Sequence, residues 1–219
     1  MTEPDVVDVW TVPLDRTADA ARWLTADDRR RAGGIGDPDM LRRFVVAHAA
    51  LNAILAGRLG LRPADLPFRR TERGRPWLAG VPVHFSLAHA GEVALVAVAG
   101  RELGVDVDHP RPGLDPRRMA ARFFTAEEAS DVAAAGAGAY RTYLRLWTRK
   151  EACVKAAGAR LALGLRLPVA GAVVRDPSGR LTGCYFVRDL PADGEHVGAV
   201  ALAGTEPASC RVYRFDRDI

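Results

Sequence analysis

Between Leu103 and Pro110 the chain reads LGVDVDHP. In a β-strand successive side chains point to opposite faces, so Val105 and Val107 share one face and Asp106 and Asp108 the other. At a rise of about 3.3 Å per residue the two carboxylates stand roughly 6–7 Å apart. Like charges at that separation repel, and a hard cation such as Mg²⁺ relieves the repulsion by taking carboxylate oxygens. Alone, such a pair reads more simply as a strand end facing solvent. A third carboxylate changes that. In AYRTYLRLWTRKEACVKAAG the residues Tyr140, Leu144, Trp147 and Val154 form an apolar helical stripe, and Glu151 lies on it. A carboxylate on a core-facing stripe is costly unless it is paired or bound to a cation. Lys155 follows at i+4, where an ordinary surface ion pair is the simpler reading of that pair by itself. Asp106, Asp108 and Glu151 together make a cradle for Mg²⁺, with Mn²⁺ as the alternative. Mg²⁺ keeps waters and binds substrate phosphates, so a phosphate-bearing substrate follows.

The remaining polar constellations suit a polyanion. RRTERGRPW supplies Arg69, Arg70, Arg73 and Arg75 around Gly74 and Pro76, and the guanidinium fork matches phosphate geometry. HFSLAHAGE puts His89 beside a small-residue turn, where backbone N–H groups can approach a phosphate. A lone histidine is more often structural than functional. Arg42 and Arg43 open the apolar part of a long helix, and for at least one of them a solvated basic face is the better explanation. Lys150 and Lys155 are the two lysines among 31 basic residues, and they sit in one short segment.

Those residues need a scaffold. The 219 residues, 48% hydrophobic and 26% charged, are enough for one large domain or two small ones with a real core. The N-terminal MTEPDVVDVW lacks the apolar run of a signal peptide, and VALVAVAG is far too short to span a membrane. A cytoplasmic protein is expected. Three cysteines, Cys153, Cys184 and Cys210, show no metal-ligand spacing and read as free thiols in a reducing compartment. A net charge of +4 and a pI near 9.3 favour anionic partners. Strands are predicted at 5–12, 66–70, 84–87, 92–98 and 103–108, then at 169–175, 181–188, 197–203 and 211–215. Helices are predicted after Thr25, after Asp37 with Pro38 at the first turn and Gly60 as stop, over 116–122, after Thr125 with Glu128 closing a capping box, and over 139–158. HPRPGLDP is the best boundary between two halves, 1–108 and 109–219. Helices and strands are segregated, so the fold class is α+β.

Four of these segments, GRPW, FSLAHAG, GVDVD and LWTRKEACVKAAG, occur in an order and spacing that resembles the surfactin-type 4′-phosphopantetheinyl transferases. The pairing of G-V-D-V-D with W-x-x-K-E-A-x-x-K-A-x-G is the specific part, and the resemblance covers most of the chain. It implies an enzyme that moves the phosphopantetheine arm of coenzyme A onto a serine of an apo acyl or peptidyl carrier protein, an acidic helical partner, and releases adenosine 3′,5′-bisphosphate. Carriers of fatty-acid, polyketide or nonribosomal peptide synthesis are the partners implied. It also implies two similar α+β halves packed as a pseudo-dimer within one monomeric chain, each with an antiparallel sheet and a long helix, with coenzyme A in the cleft between them. Asp106, Asp108 and Glu151 match metal-binding carboxylates. Glu151 also matches the general base, and Lys155 a lysine that contacts the pyrophosphate. Arg43, Arg70, Arg75 and His89 match positions that hold the nucleotide and its 3′-phosphate, and Ser86 and Asp106 fall in the same coenzyme-binding set.

The chain departs from the family in three places. Ala88 replaces a serine expected on phosphate, a contact worth on the order of 1 kcal/mol. Ser86 replaces an asparagine expected to shape a turn. Asp108 stands where glutamate is common. Ala88 and Ser86 motivate a competing reading, a non-catalytic coenzyme A or nucleotide-binding module. Nucleic-acid binding ranks lower, because the few aromatics do not interleave with a basic stripe.

Overall fold

The computed structural model describes residues 5–15, 20–192 and 194–215. Strand β1 (Asp5–Pro13) is rich in valine, a β-branched residue that suits a strand. Helix α1 (Ala26–Ala32) starts on the Thr25–Asp28 capping box, and α2 (Pro38–Leu59) starts on the Asp37 cap with proline in its first turn. It stops at Gly60, whose φ of 66° is open to glycine at no steric cost. A small hairpin follows, β2 (Phe68–Arg70) with β3 (Pro76–Leu78), then β4 (His84–Ala90), β5 (Val93–Ala99) and β6 (Leu103–Asp108). The second run is helical first: α3 (Pro116–Phe123), α4 (Ala126–Ala134), α5 (Ala139–Ala156) and the single turn α6 (Leu161–Gly164). Strands β7 (Val173–Arg175), β8 (Cys184–Leu190), β9 (Val197–Ala203) and β10 (Ala208–Arg214) end it.

Two four-stranded sheets carry the fold, in the orders β10-β1-β5-β4 and β6-β9-β8-β7. Within them neighbours are antiparallel except β1 with β10, which run parallel from Asp5 against Ala208 to Thr11 against Arg214. Alternation divides each central strand between two cores. On β5, Ala94, Val96 and Val98 pack under α2, whereas Val93, Leu95, Ala97 and Ala99 face the other sheet. On β6 and β9, Leu103, Val105, Val107, Val200 and Leu202 face that same middle layer, while Val197, Ala199 and Ala201 pack under α5. The order through the molecule is therefore α2, first sheet, second sheet, α5. Strands β5, β6 and β9 are buried on both faces, which explains why VALVAVA reads as a continuous apolar run.

The fold class is mixed α and β, as expected. Several element bounds shift. The strand expected at 66–70 shortens and gains β3 as a partner, and the strand expected at 169–175 begins only at Val173. The expected boundary at 108/109 does not divide the sheets: β6 lies before it yet pairs with β9, and β10 lies after it yet pairs with β1. Helix α2 is long and apolar enough, by length and composition alone, to cross a membrane. Its stretch from Val46 to Ala56 supplies most of one core, however, so its apolar character is already accounted for by packing. The three cysteines are unpaired.

Candidate functional site

The alternation of LGVDVD is physical in the fold. Val105 and Val107 of β6 enter the layer between the sheets, so Asp106 and Asp108 turn to the α5 side. Gly104 makes that contact close: a Cβ there would lie 2.1 Å from the Ala152 carbonyl oxygen and 2.5 Å from the Ala156 nitrogen. α5 therefore rests on β6 at a distance only glycine allows. Glu151 and Lys155, one turn apart on α5, come down over the two aspartates. Lys155 Nζ donates to Asp106 Oδ1 at 2.6 Å and to the Val105 carbonyl at 3.2 Å. Asp108 accepts from Arg111 Nη2 at 3.0 and 3.1 Å and from the His109 amide at 2.8 Å.

Burial dominates the electrostatics. It pushes the Asp106 carboxyl up to about 7, against the pull of Lys155 and with the negative charges of Glu151 and Asp108 adding to the rise. Glu151 is raised by burial too, with Lys155 opposing and Asp108 reinforcing. Among the described residues no three carboxylate, histidine or cysteine side chains already converge as a ligand set. Instead Lys155 and Arg111 serve as the counter-charges of Asp106 and Asp108. Asp106 and Glu151, both raised by burial and by a neighbouring carboxylate, are hard oxygen donors short of positive charge. That donor chemistry fits a divalent cation.

Beside this contact lies a cavity of about 1160 Å³. Its wall carries Arg70, Arg75, Ser86, His89 and Lys155 of the expected site residues, whereas Arg43, Asp106, Asp108 and Glu151 are not part of that wall. Arg75 spans the halves: Nη1 donates to the Ala156 carbonyl at 3.2 Å and Nη2 to that of Leu103 at 3.1 Å. Arg70 donates to Asp27 at 2.6 Å and to the Gly74 carbonyl at 2.8 Å. His89 keeps part of its ring open. The protein around the rest, then the charges of Lys155 and Arg43, lower its pKa. Ser86 lies within β4, not in a turn, and its Oγ accepts from the Val105 amide at 3.1 Å, stitching β4 to β6. Ala88 is buried in the layer between the sheets. Position 88 therefore points into apolar packing, and the loss of a phosphate contact expected there does not follow from its placement.

Some residues of this region carried little sequence signal. His48 and Asn52 read as part of the apolar stripe of α2, yet both line the cavity. The His48 ring stacks on Phe44 at 3.9 Å, its Nδ1 lies 2.9 Å from the Phe44 carbonyl and its Nε2 3.3 Å from Arg31 Nη1. Asn52 donates to Asp28 at 2.8 Å and to the Trp23 carbonyl at 2.9 Å, fixing α1 to α2. Their polarity on an apolar stripe was the available clue. Lys150 is wholly buried, paired with Glu128 at 2.6 Å and bonded to the Leu167 carbonyl, and Glu128 also accepts from the Val169 amide at 2.8 Å. One capping-box glutamate thus ties α4, α5 and the segment ahead of β7. The scarcity of lysine pointed to Lys150 without revealing its partner.

Residues 102–201 match the family model described as the 4′-phosphopantetheinyl transferase superfamily. The chain is 31% identical over 210 residues to the 4′-phosphopantetheinyl transferase HetI of Nostoc sp., covering 91% of this chain and 89% of that protein. It is 28% identical over 197 residues to a 4′-phosphopantetheinyl transferase of Bacillus subtilis, covering 89% and 79% respectively. A shorter stretch of 110 residues is 37% identical to the 4′-phosphopantetheinyl transferase AcpT of Salmonella typhi, over 48% of this chain and 57% of that one.

Proposed function

This chain belongs to the 4′-phosphopantetheinyl transferase superfamily, and we propose that it is an enzyme of the surfactin type that moves the phosphopantetheine arm of coenzyme A to a carrier-protein serine. The observation that carries the reading is the meeting of Asp106, Asp108, Glu151 and Lys155 at one strand–helix contact beside an arginine-lined cavity. Coenzyme A occupies that cavity, with Arg70, Arg75 and His89 of its wall on the nucleotide and Ser86 in the same set; Arg43, outside the wall but near enough to His89 for its charge to act there, and Asp106, paired with the wall residue Lys155, complete the set from beside it. The halves 1–108 and 109–219 act as a pseudo-dimer around it, each lending one strand to the sheet of the other. The protein works as a monomer in the cytoplasm, on acidic helical carriers, without nucleic acid or membrane.

The serine oxygen attacks the phosphorus on the pantetheine side of the pyrophosphate. A new P–O bond forms there, the bond to the bridging oxygen breaks, and adenosine 3′,5′-bisphosphate leaves with that oxygen. Glu151, its pKa raised by burial, takes the serine proton as general base. Lys155 places its ammonium where charge gathers on the leaving phosphate. Asp106, Asp108 and Glu151 would hold Mg²⁺, or Mn²⁺, which when bound supplies charge neutralisation and polarisation of the pyrophosphate.

A non-catalytic coenzyme A-binding module would use the same cavity. It would have no use for a half-buried Glu151 beside two buried aspartates, and the burial of Ala88 removes part of its motive. Release of adenosine 3′,5′-bisphosphate from coenzyme A separates the two. It should require an apo carrier protein and stop on chelation with EDTA, returning with Mg²⁺. Coenzyme A binding with no release, across several carriers, would favour the module.

A further inference from the structure

The turn between β4 and β5 carries a carboxylate that the transfer reaction does not use. Glu92 Oε1 accepts from Arg43 Nε at 2.9 Å and Nη2 at 2.7 Å, and from Arg42 Nη2 at 3.0 Å, while Oε2 accepts from Arg42 Nη1 at 2.7 Å. Two consecutive arginines of α2 thus share one glutamate some fifty residues away. The turn itself is fixed from both sides. The Leu14 amide donates to the Glu92 carbonyl at 2.9 Å, and His196 Nε2 lies 3.0 Å from the Ala90 carbonyl. A carboxylate on an anchored turn is a fixed point, and a two-nitrogen grip on it sets the plane of a guanidinium. With Nε and Nη2 engaged, Arg43 keeps the Nη1 amino group and its two donors for a ligand. Arg43 also lies close enough to His89 for its charge to lower the histidine's pKa.

We propose that Glu92 is a positioning residue that holds Arg43 in the orientation that receives the 3′-phosphate of the nucleotide. This rests on the reading of the cavity as the coenzyme A site, with Arg43 standing just outside its wall beside His89. Glu92 stays ionised throughout the neutral range, because Arg42, then Arg43, draw its pKa down to about 2. Simple electrostatics and positioning make opposite predictions. Removing the glutamate charge makes the region more positive, which by charge alone favours an anion. By positioning it frees the guanidinium to wander, and binding weakens.

The experiment compares coenzyme A with 3′-dephospho-coenzyme A in the full-length wild type, E92Q, R43Q, R42Q and the E92Q/R43Q double variant. Dissociation constants come from calorimetry, KM and kcat from carrier modification. E92Q should raise the KM and Kd for coenzyme A about tenfold, change kcat less than about twofold, and shrink the preference for the 3′-phosphate. R43Q should do the same, and E92Q should add nothing in the R43Q background. R42Q keeps the Glu92–Arg43 pair and should leave the preference intact. Should E92Q fail to fold, the contrast between R42Q and R43Q decides. An E92Q protein that binds coenzyme A as well as or better than wild type overturns the proposal. So do additive losses in the double variant, or equal losses in R42Q and R43Q. Calorimetry reads these outcomes whether or not any carrier is modified, so failure of the transferase reading would appear separately, as a wild type without turnover.

Discussion

Asp106 and Lys155 form a close ion pair, yet burial still raises the aspartate to about 7. Desolvation outweighs a good partner there. His48 shows the same force on a base. Burial holds it neutral, with its pKa near 4 instead of 6.5, against the attraction of Asp28. The unfolded chain then binds more protons than the fold between about pH 4 and 6.5, so stability falls as pH drops through that window and levels below it. The loss attributable to His48 should be on the order of 2 kcal/mol. Urea unfolding of wild type and His48→Gln at pH 7 and pH 4.5 checks it: the variant should lose less stability on acidification. At this scale the sequence was informative where a residue broke a pattern. Asp106 and Asp108 broke an apolar strand and Glu151 an apolar helix face. Glu92 broke nothing, since a glutamate after a turn glycine is ordinary, and its two arginines lie some fifty residues away. Strand alternation sends the Ala88 side chain between the sheets, a placement that family position alone does not reveal.

Among the elements, the closest joint is β6 against α5. Gly104 permits it, and the obstacle to any larger residue is backbone, the Ala152 carbonyl, which cannot rotate away. Gly104→Ala should cost about 3 kcal/mol and lower the melting temperature by several degrees, with activity reduced beyond the loss of folded protein because Glu151 and Lys155 are lifted off the aspartates. Circular dichroism melts beside activity per folded molecule test this. Undiminished stability would mean that α5 does not sit on β6 at this distance. Caps were legible because their signals are local: Thr25 with Asp28, Asp37 with Pro38, Thr125 with Glu128. The closeness at Gly104 was not, because a strand glycine looks alike whether its face is open or covered.

For the whole molecule, the exchange of strands is the least legible feature. Nothing local tells β10 to cross to β1, or β6 to pair with β9 before β9 has been made. The consequence is mechanical. Deleting residues 208–219 removes a strand from the C-terminal run but uncovers the edge of β1. Hydrogen exchange should then show lost protection at Asp5–Thr11, with the sheet of β6 to β9 little changed. Equal loss in both sheets would contradict the separate layers described above. The overall segregation into α+β was readable from periodicity, and the site depends on the part that was not: the helix of one half resting on a strand that precedes the boundary.

The central claim is that this strand–helix contact performs phosphopantetheinyl transfer. The most direct test is the intact mass of an apo carrier protein after incubation with coenzyme A, Mg²⁺ and either wild type or Glu151→Gln. Wild type should add one phosphopantetheine to the carrier serine, and the variant should be slower by about two to four orders of magnitude while still binding coenzyme A. No mass gain with wild type across a panel of carriers would contradict the function, and equal rates for the two proteins would contradict the role given to Glu151.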